Sequence, residues 1–453
     1  MPNGAEQRLF GTDGIRGVAG EFPLDERTTR SIGRSLVSNL ARELDHAPRV
    51  VIGRDTRQSG PEIERTLAQG AISAGARVES AGVITTPGVA YITRAGDFDA
   101  GVVISASHNP YRDNGIKVFS PSGKKLDDRM ERRIEEDLAS IEAAAEAFDE
   151  VEYENREPQY REQYINYLVE QVGRGLKLDG LRIALDCANG AASPLAPMVF
   201  KRLGAEVKVI NASPDGSNIN EGCGSLHLDG LQQVVVKHKL DLGIAFDGDA
   251  DRALFVDSEG NLVDGDAALL VLADFLNSQG QLAPAVVVAT VMSNIGLEIA
   301  LRERAIELIR AQVGDRYVLE ELMARGAKLG GEQSGHIIFP DISLAGDGMI
   351  TAIALLRAMS DSKKPLSALA SQLRKYPQVL VNVRVGSKPP LESIPEVKNE
   401  IDRLESELQG RGRLLVRYSG TENLARVMIE GGDQTRIDEQ ANHLAGVIKR
   451  SIG

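Results

Sequence analysis

The sequence predicts an α/β protein with several domains, the last of which differs from the others. At 453 residues the chain is too long for one ordinary hydrophobic core, and roughly three or four domains are expected. Short apolar runs alternate with segments of helical period up to about residue 375, which is typical of mostly parallel sheets covered on both faces. Beyond Tyr376 apolar and polar residues alternate one by one, which indicates a half-exposed antiparallel strand.

The first α/β segment extends to an acidic, polar stretch at residues 150–159 that is typical of a linker. Helical periodicity and short apolar runs define its elements. We expect helices over residues 25–44, 61–74 and 128–148 and in a stretch that begins at Thr85, and strands over residues 49–53, 78–84 and 101–104.

Two further α/β segments and a C-terminal segment follow. The second is expected to have helices over residues 160–172 and 199–203 and strands over 181–185, 206–210, 242–246 and 253–257. The third is expected to have helices over 265–276, 294–303, 347–360 and from 314 toward 323, with a strand over 285–291. The last is expected to have strands over 379–385, 413–416 and 426–430, a helix over 394–409 and a terminal helix.

Composition and charge argue against several function classes. The chain is 42% hydrophobic and 26% charged, and its formal net charge of −13 argues against general nucleic-acid binding and against a basic membrane patch. Residues 1–9 contain no apolar core of signal-peptide length, and no run approaches a membrane span. The two cysteines, Cys187 and Cys223, make no metal-ligand spacing and no disulfide framework. We therefore expect a cytoplasmic protein.

The stretch from residue 101 to Pro110 organises the chemistry of the chain. An apolar strand gives way to small and polar residues and stops at the proline, which cannot continue a central strand. Ser107 and His108 are therefore expected on a loop at the carboxyl end of a strand, where open α/β sheets place their active sites. Lys117 follows closely enough to return a cation to the same loop. Ser107 is a candidate nucleophile, although most loop serines only form turns.

Three carboxylates follow a second buried strand. Asp247, Asp249 and Asp251 alternate with a glycine and an alanine, and they repel one another unless a cation lies among them. Oxygen ligands suit Mg²⁺ or another hard cation. The alternatives are a solvated acidic turn and a calcium-binding loop. Spacing excludes the calcium loop, because its sixth position would be Arg252 rather than glycine and its twelfth Ser258 rather than glutamate.

Two glycine-framed loops contain candidate ligand-binding residues. In residues 11–17, Arg16 is suited to bidentate contact with a phosphate, and a simple tight turn is the equal alternative. In residues 330–336, Glu332, Ser334 and His336 form a set suited to a polyhydroxylated ligand. The alternative for His336 alone is a structural histidine with satisfied hydrogen bonds.

The C-terminal segment contains a candidate anion site. A strand leads into Arg417, Ser419, Gly420 and Thr421, where hydroxyls and backbone N–H groups stand beside an arginine. These are the groups that bind phosphate in proteins. The alternative is an ordinary hairpin turn flanked by arginines.

Together these loops resemble those of the α-D-phosphohexomutase family over essentially the whole chain. The resemblance rests on five stretches in the family's order, residues 10–17, 105–110, 247–252, 331–336 and 417–422. It implies three similar α/β domains with mixed, mostly parallel sheets plus a smaller C-terminal α+β domain, around a central cleft. We place these domains at residues 1–158, 159–258, 259–374 and 375–453.

The resemblance also implies roles for the loop residues. It implies that Ser107 carries a phosphoryl group and that Mg²⁺ is held by Asp247, Asp249, Asp251 and a phosphate oxygen on Ser107. Glu332 and Ser334 would contact sugar hydroxyls, and the phosphate that is not reacting would be held by Arg417, Ser419, Gly420 and Thr421. The charged or proton-transferring neighbours of the reacting phosphate would be Lys117, Arg16, Arg252 and His336. Lys117 or His336 would serve as general base if its pKa is lowered.

Within the family, the chain is most similar to the branch that interconverts glucosamine 6-phosphate and glucosamine 1-phosphate. That resemblance implies an intramolecular phosphotransferase that is primed by a sugar bisphosphate, passes through a bisphosphorylated sugar and supplies precursors of amino-sugar nucleotides and the cell wall. Gln333 stands where mutases of mannose or glucose phosphates usually have methionine. Asn423 departs from the branch, which commonly has proline there, and this puts the rigidity of the 417–422 loop in doubt.

Three alternative functions remain open on the sequence. The first is a mutase of mannose or glucose phosphates in the same family. The second is a metal-dependent phosphatase with a seryl-phosphate intermediate, which would not need the residues around Arg417. The third is a non-enzymatic protein that binds cations or sugar phosphates. For the mutase, the expected partner is a small phosphosugar, with no nucleic acid and no membrane, and a homodimer is a candidate assembly.

Overall fold

The computed structural model describes residues 8–11, 13–140, 151–419 and 423–453. They form two units, which comprise Met1–Met292 with Ile306–Ser371 and Ser293–Ala305 with Gln372–Gly453. Three sheets lie in the first unit and one in the second. The boundaries of the four domains at residues 1–158, 159–258, 259–374 and 375–453 stay predictions.

The first sheet has seven strands in the order β1-β2-β6-β5-β3-β4-β7. The strands are β1 Phe10–Gly11, β2 Gly14–Val18, β3 Arg49–Arg54, β4 Arg77–Val83, β5 Ala100–Ile104, β6 Asp113–Phe119 and β7 Glu154–Asn155. Its helices are α1 Glu26–Ala41, α2 Gly60–Ser73, α3 Thr86–Ala95 and α4 Asp128–Ser140. Residues 141–148 of the predicted helix lie outside the described residues. The predicted linker contains β7, which pairs with β4.

The sheet is mixed, as predicted. Strands β5, β3, β4 and β7 run parallel, whereas β6, β2 and β1 join antiparallel. A parallel neighbour requires a long crossover, and only the short 105–112 loop separates β5 from β6, so β6 returns antiparallel. Strand β6 was not predicted, because its Asn-Gly pair and Lys117 interrupt the apolar pattern that marks a strand.

The second sheet has the strand order β12-β11-β10-β8-β9, with β8, β9 and β10 parallel. Its strands are β8 Arg182–Asp186, β9 Glu206–Ile210, β10 Leu242–Phe246, β11 Ala253–Asp257 and β12 Leu262–Val263. The helices are α5 Glu157–Asn166, which continues as a π-helix over Tyr167–Val172, α6 Ala196–Arg202, a 3₁₀ turn at Gly224–Leu226 and α7 Asp229–His238. The sequence analysis missed α7, since its central Val-Val-Val run lacks a clear helical period.

The third sheet has the order β14-β13-β15-β16. Its strands are β13 Val286–Thr290, β14 Glu307–Ala311, β15 Leu329–Gly331 and β16 Ile337–Ile338. The helices between residues 265 and 370 are α8 Gly265–Ser278, α9 Ile295–Arg302, α10 Asp315–Arg325, α11 Gly348–Ser362 and α12 Leu366–Ala370. Helix α9 belongs to the second unit. Strands β13, β14 and β15 are parallel, and β16 is antiparallel.

The second unit contains an antiparallel sheet in the order β17-β19-β18. Its strands are β17 Gln378–Arg384, β18 Gly412–Tyr418 and β19 Leu424–Gly431, and its helices besides α9 are a 3₁₀ turn at Leu391–Ser393, α13 Pro395–Leu408 and α14 Gln434–Ile452. Val397, Leu404, Ile429 and Leu444 are among the side chains of its core. The change of pattern after Tyr376 therefore predicted this antiparallel sheet correctly.

Strand ends position the polar loops of the first unit. The Ser107 loop follows β5, the Asp247 loop follows β10 and the Glu332 loop follows β15. Each preceding strand is fully buried, so the strand ends are rigid supports. Among the described residues, no helix is both long and apolar enough to span a membrane.

Candidate active site

Ser107 lies in a backbone conformation that is uncommon for a residue with a side chain. Its φ is +53°, in the left-handed region, and only 1% of the residue is exposed. The hydroxyl donates a hydrogen bond to Oδ2 of Asp247 at 2.5 Å, and Nδ1 of His108 lies 3.3 Å from the Ser107 hydroxyl oxygen. The serine and the first carboxylate of the acidic loop are therefore in direct contact.

The three aspartates of that loop are buried together. Asp247, Asp249 and Asp251 each offer a carboxylate oxygen, and these oxygens lie within 4.8 Å of one another. Oδ1 of Asp249 and Oδ1 of Asp251 accept no hydrogen bond from any residue that the structure describes. Buried carboxylate oxygens with unused lone pairs are the donors that a hard divalent cation requires. The cluster therefore fits a metal ion.

Glycine is required between the first two aspartates. A Cβ built on Gly248 would lie 2.5 Å from the backbone oxygen of Ser107 and 2.9 Å from Nδ2 of Asn220. Real Cβ atoms essentially never approach other heavy atoms so closely. The acidic loop therefore packs backbone to backbone against the serine loop.

The pKa values of the aspartates differ in direction. Burial, followed by the charges of Asp251 and Asp249, raises the pKa of Asp247 well above its usual range. Burial alone would also raise the pKa of Asp251, but the Lys117 ammonium and the His336 ring lower it well below the usual value. A cation among the carboxylates would relieve the repulsion that Asp247 experiences.

Lys117 is fully buried among carboxylates. Its Nζ lies 2.8 Å from Asp249, 3.2 Å from Asp251 and 3.0 Å from Asp13. Burial by itself would lower the pKa of Lys117, but the charges of Asp13 and Asp249 outweigh it and raise the pKa well above the ordinary value. Lys117 therefore does not meet the condition of a lowered pKa that was set for a general base.

His336 does not meet that condition either. Burial would lower its pKa, but the carboxylate of Asp251, 3.5 Å from Nδ1, outweighs burial and raises the pKa to about 9. A Cβ on Gly346 would lie 2.2 Å from Nε2 of His336, so the ring occupies space that only glycine leaves free. Both Lys117 and His336 are therefore cations near neutral pH, suited to neutralising negative charge.

An open cavity of about 420 Å³ lies beside the aspartates. Its charged and polar walls include Arg8, Arg16, Arg252, Asp13, Asp251, Asp315, Glu332, His108 and His336. The structure thus places the predicted residues Arg16, Arg252, Glu332 and His336 on one cavity. Mixed charge of this kind suits a ligand with an anionic group and several hydroxyls.

The residues Glu332, Gln333 and Ser334 are engaged in local hydrogen bonds. Oε1 of Glu332 accepts from the backbone N–H of Gly314 at 3.0 Å, and the Ser334 hydroxyl donates to Oε2 at 3.4 Å. The side-chain amide of Gln333 donates to Asp264 at 3.4 Å. Their roles toward a sugar stay predictions.

His108 was predicted on the serine loop but was given no role of its own. His108 lines the cavity, and burial, followed by the charges of Arg252 and Arg16, lowers its pKa to about 4. It is therefore a neutral imidazole beside Ser107. Its adjacency to Ser107 is the signal that placed it on the predicted loop.

Two further residues extend the charge network around Asp13. Asp13 forms ion pairs with Lys125 and Arg16, and Lys125 also lies 2.5 Å from Asp315. Asp13 stands within the predicted glycine loop, which marks it as a candidate. Lys125 and Asp315 carried no such signal, because they are 190 residues apart in sequence.

The second unit contains Arg417 and Ser419. Arg417 lies at the end of β18 directly opposite Arg426 of β19, so their side chains project from the same face of the sheet. The backbone N–H of Ser419 donates to the oxygen of Leu424 at 2.8 Å, and Lys388 donates to the Ser419 oxygen at 2.8 Å. Gly420 and Thr421 lie outside the described residues.

Matches to known protein families and to known relatives cover nearly the whole chain. Models of the phosphoglucomutase/phosphomannomutase family match in order: alpha/beta/alpha domain I at residues 7–145, domain II at 162–260, domain III at 264–376 and the C-terminal domain at 380–447. A protein of Solibacter usitatus named phosphoglucosamine mutase is 51% identical over 447 residues, which cover 98% of this chain and 99% of that protein.

Two solved structures have the same fold. A phosphoglucomutase/phosphomannomutase family protein from Burkholderia thailandensis is 26% identical, with a TM-score of 0.79 and 98% of each chain covered. N-acetylphosphoglucosamine mutase of Aspergillus fumigatus, solved in complex with GlcNAc-6P and magnesium, is 18% identical, with a TM-score of 0.66 and coverage of 98% of this chain and 96% of that one. The four family models in order and the identity over the full length establish that this chain belongs to the phosphoglucomutase/phosphomannomutase family.

Proposed function

We propose that this protein interconverts glucosamine 6-phosphate and glucosamine 1-phosphate, with Ser107 as the residue that carries the transferred phosphoryl group. The contact between the Ser107 hydroxyl and Asp247, inside a cluster of three carboxylates, is the observation that carries the proposal. The relative from Solibacter usitatus, whose name is phosphoglucosamine mutase, supports the choice of substrate. The protein is thus a mutase of the isomerase class.

We assign the divalent cation to Asp247, Asp249 and Asp251, with Mg²⁺ as the ion and a phosphate oxygen on Ser107 as a further ligand. Magnesium in the Aspergillus fumigatus complex and the unused carboxylate oxygens here support this assignment. Mg²⁺ would neutralise phosphate charge and polarise the phosphorus–oxygen bonds.

The chain's own residues then position the sugar for two transfers. In the first, the free sugar hydroxyl attacks the phosphorus on Ser107, the bond to the serine oxygen breaks, and the hydroxyl proton leaves to a base or to water. The product is a bisphosphorylated sugar. That sugar turns end for end, its other phosphate returns to Ser107, and the isomeric monophosphate leaves. A sugar bisphosphate primes the enzyme by phosphorylating Ser107.

Charge neutralisation falls to the cations near Ser107. Lys117, with its raised pKa, stays protonated beside Asp249 and Asp251. Arg16, Arg252 and His336 line the cavity and would face the anionic substrate. Phosphoryl transfer needs positioning and charge stabilisation more than covalent chemistry by the protein, and this set of residues supplies both.

Sugar and phosphate recognition are assigned to two further groups. Glu332 and Ser334 would accept hydrogen bonds from sugar hydroxyls, since Glu332 lines the cavity. The phosphate that is not reacting would be held by Arg417, Ser419, Gly420 and Thr421. Charge-assisted hydrogen bonds tolerate the two orientations that the turning intermediate presents.

The location and assembly of the protein are further parts of the proposal. A cytoplasmic enzyme would meet phosphosugars where they are made. The homodimer named above is tested by light scattering of the purified protein, for which a mass of twice 48.7 kDa is expected.

The decisive experiment compares the 6-phosphates of glucosamine, glucose and mannose. The purified protein would be supplied with Mg²⁺ and a trace of glucose 1,6-bisphosphate, and Ser107→Ala would be assayed in parallel. We expect glucosamine 6-phosphate to turn over fastest and the variant to be inactive. Faster turnover of glucose or mannose 6-phosphate would contradict the substrate assignment, and release of inorganic phosphate without isomerisation would indicate a phosphatase.

A further inference from the structure

Arg57 is a buried arginine that has no role in the proposed reaction. All five N–H groups of its guanidinium donate hydrogen bonds. Only 1% of the residue is exposed, although a guanidinium is among the most polar groups in proteins. Nε donates to Oδ2 of Asp55 at 2.9 Å. The remaining four N–H groups donate to backbone oxygens at residues 107, 109, 110 and 113, at 3.0 Å for Ser107 and 2.8 Å for Asn109. The guanidinium therefore binds the whole serine loop from one side.

Asp55 binds the same loop through a different path. Its Oδ2 accepts from the Ser105 hydroxyl at 2.6 Å, and the Ser105 hydroxyl oxygen accepts from the backbone N–H of Ser107 at 2.9 Å. The side chains of Asp55 and Arg57 are both fully buried. The ion pair therefore restrains both backbone groups of Ser107. Asp55 acts on the N–H through the Ser105 hydroxyl, and Arg57 donates directly to the C=O.

The backbone oxygen of Ser107 has a second donor. Nδ2 of Asn220 lies 2.9 Å from it and 3.2 Å from the oxygen of Asn109. A carbonyl oxygen has two lone pairs, and Arg57 with Asn220 occupies both at Ser107. The orientation of the peptide group after Ser107 is therefore determined by two side chains from different parts of the chain.

Such restraint has a purpose at this residue. A left-handed conformation is unfavourable for a residue with a side chain, so it persists only where the surroundings enforce it. We propose that Arg57, together with Asp55, is a positioning residue that holds Ser107 in this conformation with its hydroxyl directed at Asp247. The proposal deepens the proposed function, on which it rests for the role of Ser107.

The test replaces Arg57 with lysine and compares it with a matched change three residues earlier. Lysine keeps the positive charge beside Asp55 but offers three N–H groups on one atom instead of five on a planar group. Arg54→Lys is the control, because Arg54, the last residue of β3, pairs with Glu64 at 2.8 Å and donates no hydrogen bond to the serine loop in the described structure. Ser105→Ala, which interrupts only the path through Asp55, is a milder second variant if Arg57→Lys does not fold.

Two readouts separate positioning from a general structural role. The first is backbone hydrogen exchange of the peptide that covers residues 105–113, which should become faster in Arg57→Lys and stay unchanged in Arg54→Lys. The second is the rate at which glucose 1,6-bisphosphate phosphorylates the enzyme, followed by intact mass. We expect that rate and kcat to fall on the order of 100-fold in Arg57→Lys, with the KM for the sugar phosphate little changed.

The outcomes are distinct. Unchanged exchange at residues 105–113 in both Arg57→Lys and Ser105→Ala would overturn the proposal, and so would faster exchange spread evenly over the chain. A wild-type protein that becomes phosphorylated at Ser107 but does not isomerise glucosamine 6-phosphate would contradict the proposed function and leave the positioning proposal supported by the exchange and phosphorylation data.

Discussion

The hydroxyl of Ser107 and the carboxylate of Asp247, 140 residues apart in sequence, share a hydrogen bond of 2.5 Å. The serine loop at the end of β5 and the acidic loop at the end of β10 are thus one site. A substituent on the serine oxygen would stand next to the three carboxylates.

Replacing Ser107 with alanine should abolish turnover and leave cation binding in place. The variant loses the oxygen that would carry the phosphoryl group, while all three aspartates remain. Isomerisation would be followed by coupled assay, and phosphorylation by intact mass after incubation with glucose 1,6-bisphosphate. Ser122→Ala, at an exposed serine, is the control and should behave as wild type. Residual phosphorylation of Ser107→Ala at the wild-type level would show that another residue is the carrier.

Asp247→Asn should raise the melting temperature without divalent cation and remove the stabilisation by Mg²⁺. The wild-type carboxylate is buried beside Asp249 and Asp251, which raise its pKa, so a neutral amide relieves repulsion. A ligand at 100 times its Kd stabilises a protein by about 2.7 kcal/mol. Wild type and the exposed control Asp361→Asn should therefore show a clear rise in melting temperature on adding Mg²⁺. An equal rise in Asp247→Asn would place the cation elsewhere.

The stability should depend on pH through Asp347. This carboxyl is buried and accepts a hydrogen bond from the Tyr164 hydroxyl at 2.5 Å. It also caps α11 by accepting hydrogen bonds from the backbone N–H groups of Met349 and Ile350. Burial raises its pKa to about 6 from the ordinary aspartate value of 3.8.

The sign of that dependence follows from the raised pKa. An acid with a higher pKa in the folded state destabilises the fold at neutral pH by about 3 kcal/mol for a shift of this size, and the cost disappears as pH falls toward 4. Asp347→Asn, which mimics the protonated acid, should therefore have a higher melting temperature than wild type at pH 7.5 and the same melting temperature near pH 4. The same difference in melting temperature at both pH values would contradict this assignment.

Arg417→Ala should weaken sugar-phosphate binding. A hydrogen bond to a charged group contributes about 1.5–3 kcal/mol, which corresponds to a rise in KM of roughly 10- to 100-fold. Phosphorylation of Ser107 by glucose 1,6-bisphosphate should persist at saturating concentration. Arg411→Ala removes an exposed arginine just before β18 and should leave KM unchanged. An unaltered KM in Arg417→Ala would remove Arg417 from the proposed phosphate site.

Strands made of continuous apolar residues were predictable from sequence. Residues 242–246 and 253–257 form β10 and β11 with the predicted bounds, because apolar runs of four or five residues are clear strand signals. Residues 206–210 also form β9 with the predicted bounds, because charged residues alternate there with valines. The loops after such strands carry Ser107 and Asp247, so the candidate residues followed from local pattern. Strand β6 was missed because its pattern is interrupted, and its partners lie in β2 and β5.

What the sequence by itself determined is the set of reactive residue types and the strand ends on which they stand, since both depend on local order along the chain. The tertiary structure decided which charges meet. Lys117 stays protonated in spite of its burial because the fold places it against Asp13, Asp249 and Asp251. Arg57 binds the serine loop only because loops about 50 residues apart come together. Ion pairs and pKa values depend on distance and burial in space, which no spacing along the chain specifies.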